Sequence, residues 1–358
     1  MTSGANTKWD IVNGAQWDLA PPSTGYVNDI LIARASSCFH PLQSRLFSCE
    51  SIIETYLTSL TPRTIRLFQE RKLKSIPGFF SAQSETMRIA ATAALAAGEV
   101  IRDGYQKVHQ IDSKGVGDLV SKVDFDADRV ATDILCGAGE GLPIMSEELS
   151  PETEDCEQRM WVVDPLDGTT AYLMGAGPQF SSVLISLCDG GRPVLGLTYF
   201  PLTDDWFYAI KGEGAWKNGR LLSIELRDYQ LRNSWVEMNQ YGDAKFETDF
   251  FAAARRALRS SQGARIATST FPYAGVAMRI AEQANGICAA IHDNNPLSLK
   301  QGPWDIAANQ IIFEEAGGQF LNPELKPTSP FVAEPILVCP TKSLANEIMD
   351  CVYEYAGQ

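Results

Sequence analysis

With 358 residues, 45% of them hydrophobic, the chain can bury a sizeable core and is expected to form two subdomains. Its formal net charge of −14 excludes a nucleic-acid polymer or an anionic membrane as the main partner. There is no apolar run of about 18 residues to span a bilayer and no basic start with an apolar core to mark a secretory signal. Eight cysteines without C-x-x-C spacing read as the reduced thiols of a cytoplasmic protein.

Residues 1–80 read as a separate, largely helical N-terminal extension. Trp9, Trp17, Pro21, Pro22 and Gly25 make an irregular lead-in. Ile52, Ile53, Tyr56, Leu57 and Leu60 then fall on one helical stripe, and Thr61-Pro62 suits the cap and first turn of a second helix. That helix carries Arg63, Arg66, Arg71, Lys72 and Lys74, a solvated basic face of a packed extension or else a regulatory, lid or dimerisation element.

Ser84 is a cap for a long Ala-rich helix from Thr86 to Tyr105. Gly117 to Asp128 reads as a strand or turn entering a helix, with Lys122 and Arg129 as ion-pair partners near Asp124. Gly137-Ala138-Gly139-Glu140-Gly141 misses the dinucleotide fingerprint in spacing and precedes a strand, so it reads as loop. Leu142 to Ser146 is a short apolar run that ends in Glu147 and Glu148. Trp161 to Val163 reads as the end of a buried strand, stopped by Pro165, and a helix is expected to start after Gly168-Thr169-Thr170 and to stop at Gly175-Ala176-Gly177-Pro178. Strands follow at Phe180–Cys188, Pro193–Phe200 and Trp206–Ile210, with Asp189-Gly190-Gly191 as a hairpin turn. Beyond the turn-rich segment from Gly212 to Gly219 come a helix near Phe250–Arg259, a strand near Arg265–Thr268, another helix, a strand at Gly286–Ile291, and a helix opened by Pro303 and stopped at Gly317. Such alternation suggests an α/β layer beside an α+β one.

Asp164 and Asp167 sit three residues apart at a strand end and would repel each other, so the pair needs a cation. Carboxylates are hard oxygen donors, which point to Mg²⁺ rather than zinc, and His40, His109 and His292 are too few and too scattered for a histidine-based zinc site. Leu166 can add a backbone carbonyl between the two acids. The N–H groups of a helix beginning after Gly168 would hold a phosphate against the metal. Asp305 falls in the first turn of its helix, where the dipole favours an anion.

Four segments carry a likeness: Gly117 to Asp124 leading into Asp128, Ser146-Glu147-Glu148, Asp164-Pro165-Leu166-Asp167-Gly168-Thr169, and Trp304-Asp305-Ile306-Ala307-Ala308 with Glu315-Ala316-Gly317-Gly318. In this order they resemble the inositol monophosphatase-like phosphatases, a magnesium-dependent, lithium-sensitive superfamily that also holds fructose-1,6-bisphosphatases, bisphosphate nucleotidases and some histidinol-phosphate phosphatases. The resemblance runs from roughly Ser84 to the C-terminus. It implies an α+β / α/β fold, the layered α-β-α-β-α sandwich of the sugar-phosphatase type. An N-terminal α+β subdomain, residues 81–225, would carry most metal ligands, and a C-terminal α/β subdomain, residues 226–358, would carry Asp305 and the substrate-specificity loop.

By that resemblance Glu147, Asp164, the Leu166 carbonyl, Asp167 and Asp305 are the ligands of two or three Mg²⁺ ions. Asp124 and Thr169 are the pair that orients and deprotonates the attacking water, with Glu147 beside them. Gly168, Thr169 and Thr170 form the phosphate cradle, and Glu148 is a supporting acid. The implied reaction is hydrolysis of a small phosphomonoester, an inositol-phosphate-like, sugar or amino-alcohol phosphate, by a homodimer. Substrate contacts are expected in the stretch from Ile291 to Gly302, which is longer than the inositol-phosphatase pattern; Asp293 is the candidate there, with His292 or Lys300 as alternatives. Lys300 could meet a second phosphate, which would suit a 3′(2′),5′-bisphosphate nucleotidase, and Ala171-Tyr172 replaces the more familiar Asn-Phe. A non-catalytic relative that binds metal or an anion for regulation is the alternative from another class.

Overall fold

The computed structural model describes residues 76–107, 109–115, 118–138, 141–150, 155–224, 229–239, 248–260, 265–269, 281, 287–292 and 302–356. The helices read from the sequence before residue 76, the helix expected after Thr268, and Asp293 and Lys300 lie outside the described residues.

Helix α1 (Glu85–Gly104) begins where Ser84 Oγ accepts the Met87 N–H, as the capping pattern requires. A hairpin of β1 (Ile111–Gly115) and β2 (Asp118–Ser121) leads into α2 (Lys122–Ala138). Gly137 and Ala138, read from the sequence as loop, close α2: nothing in that pair breaks a helix at its last turn. The next elements are β3 (Ile144–Ser146), β4 (Met160–Asp167), α3 (Thr169–Met174), β5 (Ser182–Asp189), β6 (Arg192–Phe200), β7 (Asp205–Ile210), β8 (Gly214–Lys217) and β9 (Arg220–Leu222). Strands β3 to β9 form one seven-stranded sheet in sequence order, antiparallel except for the parallel pair β3–β4. The second half supplies β10 (Trp235–Asn239), α4 (Asp249–Ser260), β11 (Arg265–Ser269), β12 (Ile287–His292), α5 (Pro303–Glu315), β13 (Gln319–Leu321), β14 (Ile336–Cys339) and α6 (Lys342–Ala356). Its five strands pair in the order β11-β10-β12-β14-β13, with β10 parallel to both of its neighbours.

Strand residues alternate between faces, and the alternation builds the layers. On the first sheet Val183, Ile185, Leu195, Leu197, Tyr199, Trp206 and Tyr208 pack with α1 and α2. Leu184, Phe200, Phe207 and Ala209 point the other way, against Ile306, Ile311, Ile312 and Phe313 of α5. The second sheet repeats the device: Ala290, Ile336 and Val338 face α5, while Ala289, Ile291, Leu337 and Cys339 meet α4 and α6. The result is the α-β-α-β-α sandwich, with α5 as the filling between the sheets. Gly196 lets α5 lie close to β6, because a Cβ there would stand 2.5 Å from the Ala308 carbonyl oxygen. Among the described residues no helix is long and apolar enough to cross a membrane.

One local expectation is corrected. Pro165 does not end its strand; β4 continues to Asp167, which pairs with Ser182 after an irregularity between Asp164 and Asp167. A proline costs the ladder one donor, and a bulge absorbs that loss without ending the pairing.

Candidate active site

The parallel register Ser146↔Val163 brings the carboxyl ends of β3 and β4 to the same edge. Glu147 follows one of these ends, and Asp164 and Asp167 stand at the other. The bulge at Pro165-Leu166 turns the Leu166 N–H onto Asp164 Oδ1 at 3.0 Å, and Ser182 Oγ on the neighbouring strand donates to Asp167 Oδ2 at 3.0 Å. Asp305 enters from the first turn of α5, where its Oδ2 accepts the Gly302 N–H at 2.8 Å. Ligand oxygens of Asp164, Asp167 and Asp305 all lie within 4.8 Å of one another. Opposite oxygens around a bound Mg²⁺ or Ca²⁺ are roughly 4–5 Å apart, so this donor set fits a hard divalent cation.

Electrostatics say the same. Asp164 and Asp167 are buried. Burial drives the Asp164 carboxyl well above the usual range, and the charges of Glu147, Asp167 and Asp305 add to the effect. Asp305 is raised for the same reasons, by burial first and then by Glu147 and Asp167. Carboxylates cannot all ionise in such a place without a positive partner.

Glu147 stands outside the three-acid set, although its charge is felt by both Asp164 and Asp305. Lys114 of β1 lies 2.7 Å from Glu147 Oε1 and 2.7 Å from Glu148 Oε1. Burial first, and then the charge of Glu147, outweigh the pull of Lys114 on Glu148, and its carboxyl is pushed up to about 8. The Lys114 ammonium is itself stabilised, since the two glutamates outweigh the burial that would pull it down.

Asp124 is positioned by the start of α2. Ser121 and Asp124 have the Ser-x-x-Asp spacing of a capping box: Asp124 Oδ2 accepts the Ser121 N–H and Oγ at 2.9 and 2.8 Å, while Ser121 Oγ takes the Val123 N–H, one residue short of that motif's usual donor, at 3.1 Å. The other oxygen, Oδ1, accepts from Thr169 Oγ1 at 2.6 Å. Burial raises the Asp124 carboxyl despite these hydrogen bonds. Gly168 precedes α3 with φ 87°, a conformation that disfavours side chains, and the first bond of the short helix runs from the Tyr172 N–H to the Gly168 carbonyl at 2.9 Å. Gly175, also in the left-handed region, ends α3 as read from the sequence.

The structure thus brings together Asp124, Thr169, Glu147, Asp164, Leu166, Asp167 and Asp305, drawn from five elements and their connections. Lys122 pairs with Asp126, one turn along its own helix, and not with Asp124. Sequence reading passed over Lys114, Ser182 and the cap Ser121. The Ser-x-x-Asp spacing of the capping box would have flagged Ser121, whereas Lys114 and Ser182 reach the site only through tertiary pairing.

A model of the inositol monophosphatase family matches residues 82–355. The chain is 31% identical over 246 residues to inositol monophosphatase 2 of Solanum lycopersicum, covering 67% of this chain and 88% of that protein. It is 30% identical over 238 residues to a fructose-1,6-bisphosphatase/inositol-1-monophosphatase of Aquifex aeolicus, covering 65% and 84%. The solved structure of extragenic suppressor protein suhB from Bartonella henselae superposes with a TM-score of 0.64 at 25% identity, covering 75% of this chain and 98% of that one.

Proposed function

The chain belongs to the inositol monophosphatase family and is a phosphomonoester hydrolase, and from that premise we propose that Asp124 and Thr169 handle the attacking water while the acids around Asp164 hold the metal. Divalent cations, Mg²⁺ by the hardness of the donors and two or three by their number, would be held by Glu147, Asp164, the Leu166 carbonyl, Asp167 and Asp305, and would neutralise the ester's charge and that of the departing oxygen.

The rest of the chemistry belongs to the chain. The Thr169 hydroxyl has one proton and two contacts, 2.6 Å to the Asp124 carboxylate and 3.1 Å to the Leu166 carbonyl. The shorter contact to a charged acceptor takes the proton. The Thr169 oxygen is then left as an acceptor for a water, and Asp124 is the base behind it. A buried carboxyl with a raised pKa is a stronger proton acceptor than an exposed one. The first N–H groups of α3 have no acceptor within the helix, so Gly168, Thr169 and Thr170 can orient phosphate oxygens over the acids. The substrate is a small phosphomonoester of the inositol, sugar or amino-alcohol type, with Asp293, or else His292 or Lys300, as the residue that chooses it.

One observation carries this reading: the Asp124–Thr169 pair stands beside a buried three-acid cluster, which a passive cation store would not require. The experiment is phosphate release from inositol phosphate, histidinol phosphate and 3′-phosphoadenosine 5′-phosphate, with Mg²⁺ and with EDTA. Turnover should require Mg²⁺ and fall by roughly a thousandfold or more in Asp164→Asn. Undiminished turnover in EDTA would overturn the metal-dependent reading. Tight Mg²⁺ binding with no substrate cleaved would favour a regulatory relative, and preference for the bisphosphate would favour the nucleotidase.

A further inference from the structure

Helix α2 carries a second buried acid, Asp128, one turn beyond Asp124. Residues four apart lie on the same helix face, yet these two address different parts of the site. Asp124 reaches Thr169. Asp128, wholly buried, points its Oδ2 at the turn that follows β3, where it accepts the N–H groups of both Glu148 and Leu149 at 3.1 Å.

That turn is held on two other sides. Ser146 and Ser150 exchange backbone hydrogen bonds of 2.9 and 3.2 Å, and the Glu147 N–H reaches the Val163 carbonyl at 3.2 Å. What the turn presents is two adjacent glutamates, and each places an oxygen 2.7 Å from the Lys114 ammonium. A side-chain cation can hold the carboxylates only while it is there. A clamp on the backbone works whichever cation occupies the site.

Resting on the reading of Glu147 as a metal ligand, we propose that Asp128 is a positioning residue that fixes the 147–149 turn and thereby sets the cation affinity of the site. Burying a carboxylate is costly unless it is well bonded. Two backbone donors converge on one carboxyl oxygen, and an ionised acceptor would hold them about twice as strongly as the neutral amide of an asparagine. Asp128 and Asp124 together make α2 the common mount of the turn and the water-handling pair.

The test compares Asp128→Asn and Asp128→Ala with the unmutated protein by calorimetric Mg²⁺ titration, by the Mg²⁺ dependence of kcat, and by melting in EDTA. Partners that hold metal ligands typically change affinity by about 10–100-fold when removed. Mg²⁺ binding should weaken by roughly tenfold or more in Asp128→Ala and about three- to tenfold in Asp128→Asn, with kcat at saturating Mg²⁺ within about threefold of the parent. If Asp128→Ala does not fold, the same-shaped Asn variant decides, provided its melting temperature in EDTA stays within a few degrees of the parent. Parental affinity in Asp128→Asn, or a loss of kcat at unchanged affinity in either variant, overturns the assignment. Mg²⁺ binding without turnover by the unmutated protein overturns the catalytic reading alone, and no Mg²⁺ binding at all overturns both.

Discussion

Thr169 Oγ1 donates to Asp124 Oδ1 at 2.6 Å across 45 positions of sequence. One residue opens α3 and the other lies in the first turn of α2, so the contact joins two helix starts. If the hydroxyl relays the proton of an attacking water to Asp124, its chemistry matters and its size does not. Thr169→Val keeps the shape and removes the oxygen, and it should lower kcat by about 10²–10⁴, the usual contribution of a positioned acid–base group. Thr169→Ser keeps the oxygen and should stay within about tenfold of the parent. Steady-state phosphate release at saturating Mg²⁺ reads the difference. Equal losses in the two variants would assign Thr169 to packing.

The buried acids make a second expectation, concerning pH. Burial and mutual repulsion raise Asp164 and Asp305 above their ordinary values, and Glu148 stands at about 8. A carboxyl whose folded pKa exceeds its unfolded value binds more protons in the native state. Its contribution to stability is therefore complete below the unfolded pKa and is lost as pH rises through the folded one. For Glu148 that window runs from 4.5 to about 8. Lys114, raised as well, keeps its charge throughout this window and does not reverse the slope. In EDTA the melting temperature should fall between pH 5.5 and pH 8, by on the order of 5 °C given about 1.4 kcal/mol per pKa unit and a few degrees per kcal/mol. Mg²⁺ binds the ionised form, so its stabilisation should be larger at pH 8 than at pH 5.5. A flat melting profile in EDTA would show that the acids do not repel one another as placed.

Part of this site is legible in the sequence. Asp164 and Asp167 declare themselves through local chemistry, two acids around a proline at a strand end, and that is a short-range fact; Asp305 shows locally only as an acid in a helix's first turn, and its place in the site came from the family likeness. The strands from Ser182 to Ile210 were equally plain, because apolar alternation and the Gly190-Gly191 turn act over a few residues. What stayed hidden depends on pairings between distant segments. Lys114 reaches Glu147 across 33 positions, and Asp128 meets the Glu148 amide across 20. The persistence of β4 through Pro165 was hidden for a related reason: whether a proline stops a strand depends on which neighbour it faces, and here β5 resumes pairing at Ser182. The placement of α5 between two sheets was supplied by the family likeness. Its apolar residues are spread around the helix instead of gathered on one stripe, which marks burial without saying against what.

Gly196 offers a test of how that buried helix governs the cluster. A Cβ at this position would come within 2.5 Å of both the Ala308 carbonyl oxygen and Ile311 Cγ2. The isoleucine can rotate, but the carbonyl belongs to the backbone of α5 and can yield only if the helix moves away from β6. Asp305 lies one turn before Ala308 on that helix, so any such shift draws its carboxylate off Asp164 and Asp167. Gly196→Ala should therefore destabilise the protein by about 1–3 kcal/mol, as overpacking does, and should also weaken Mg²⁺ binding, although residue 196 touches no ligand. Denaturant unfolding in EDTA measures the first effect and calorimetric titration the second. A variant that loses stability while keeping its Mg²⁺ affinity would mean that the strain is absorbed within β6, leaving α5 and Asp305 where they are.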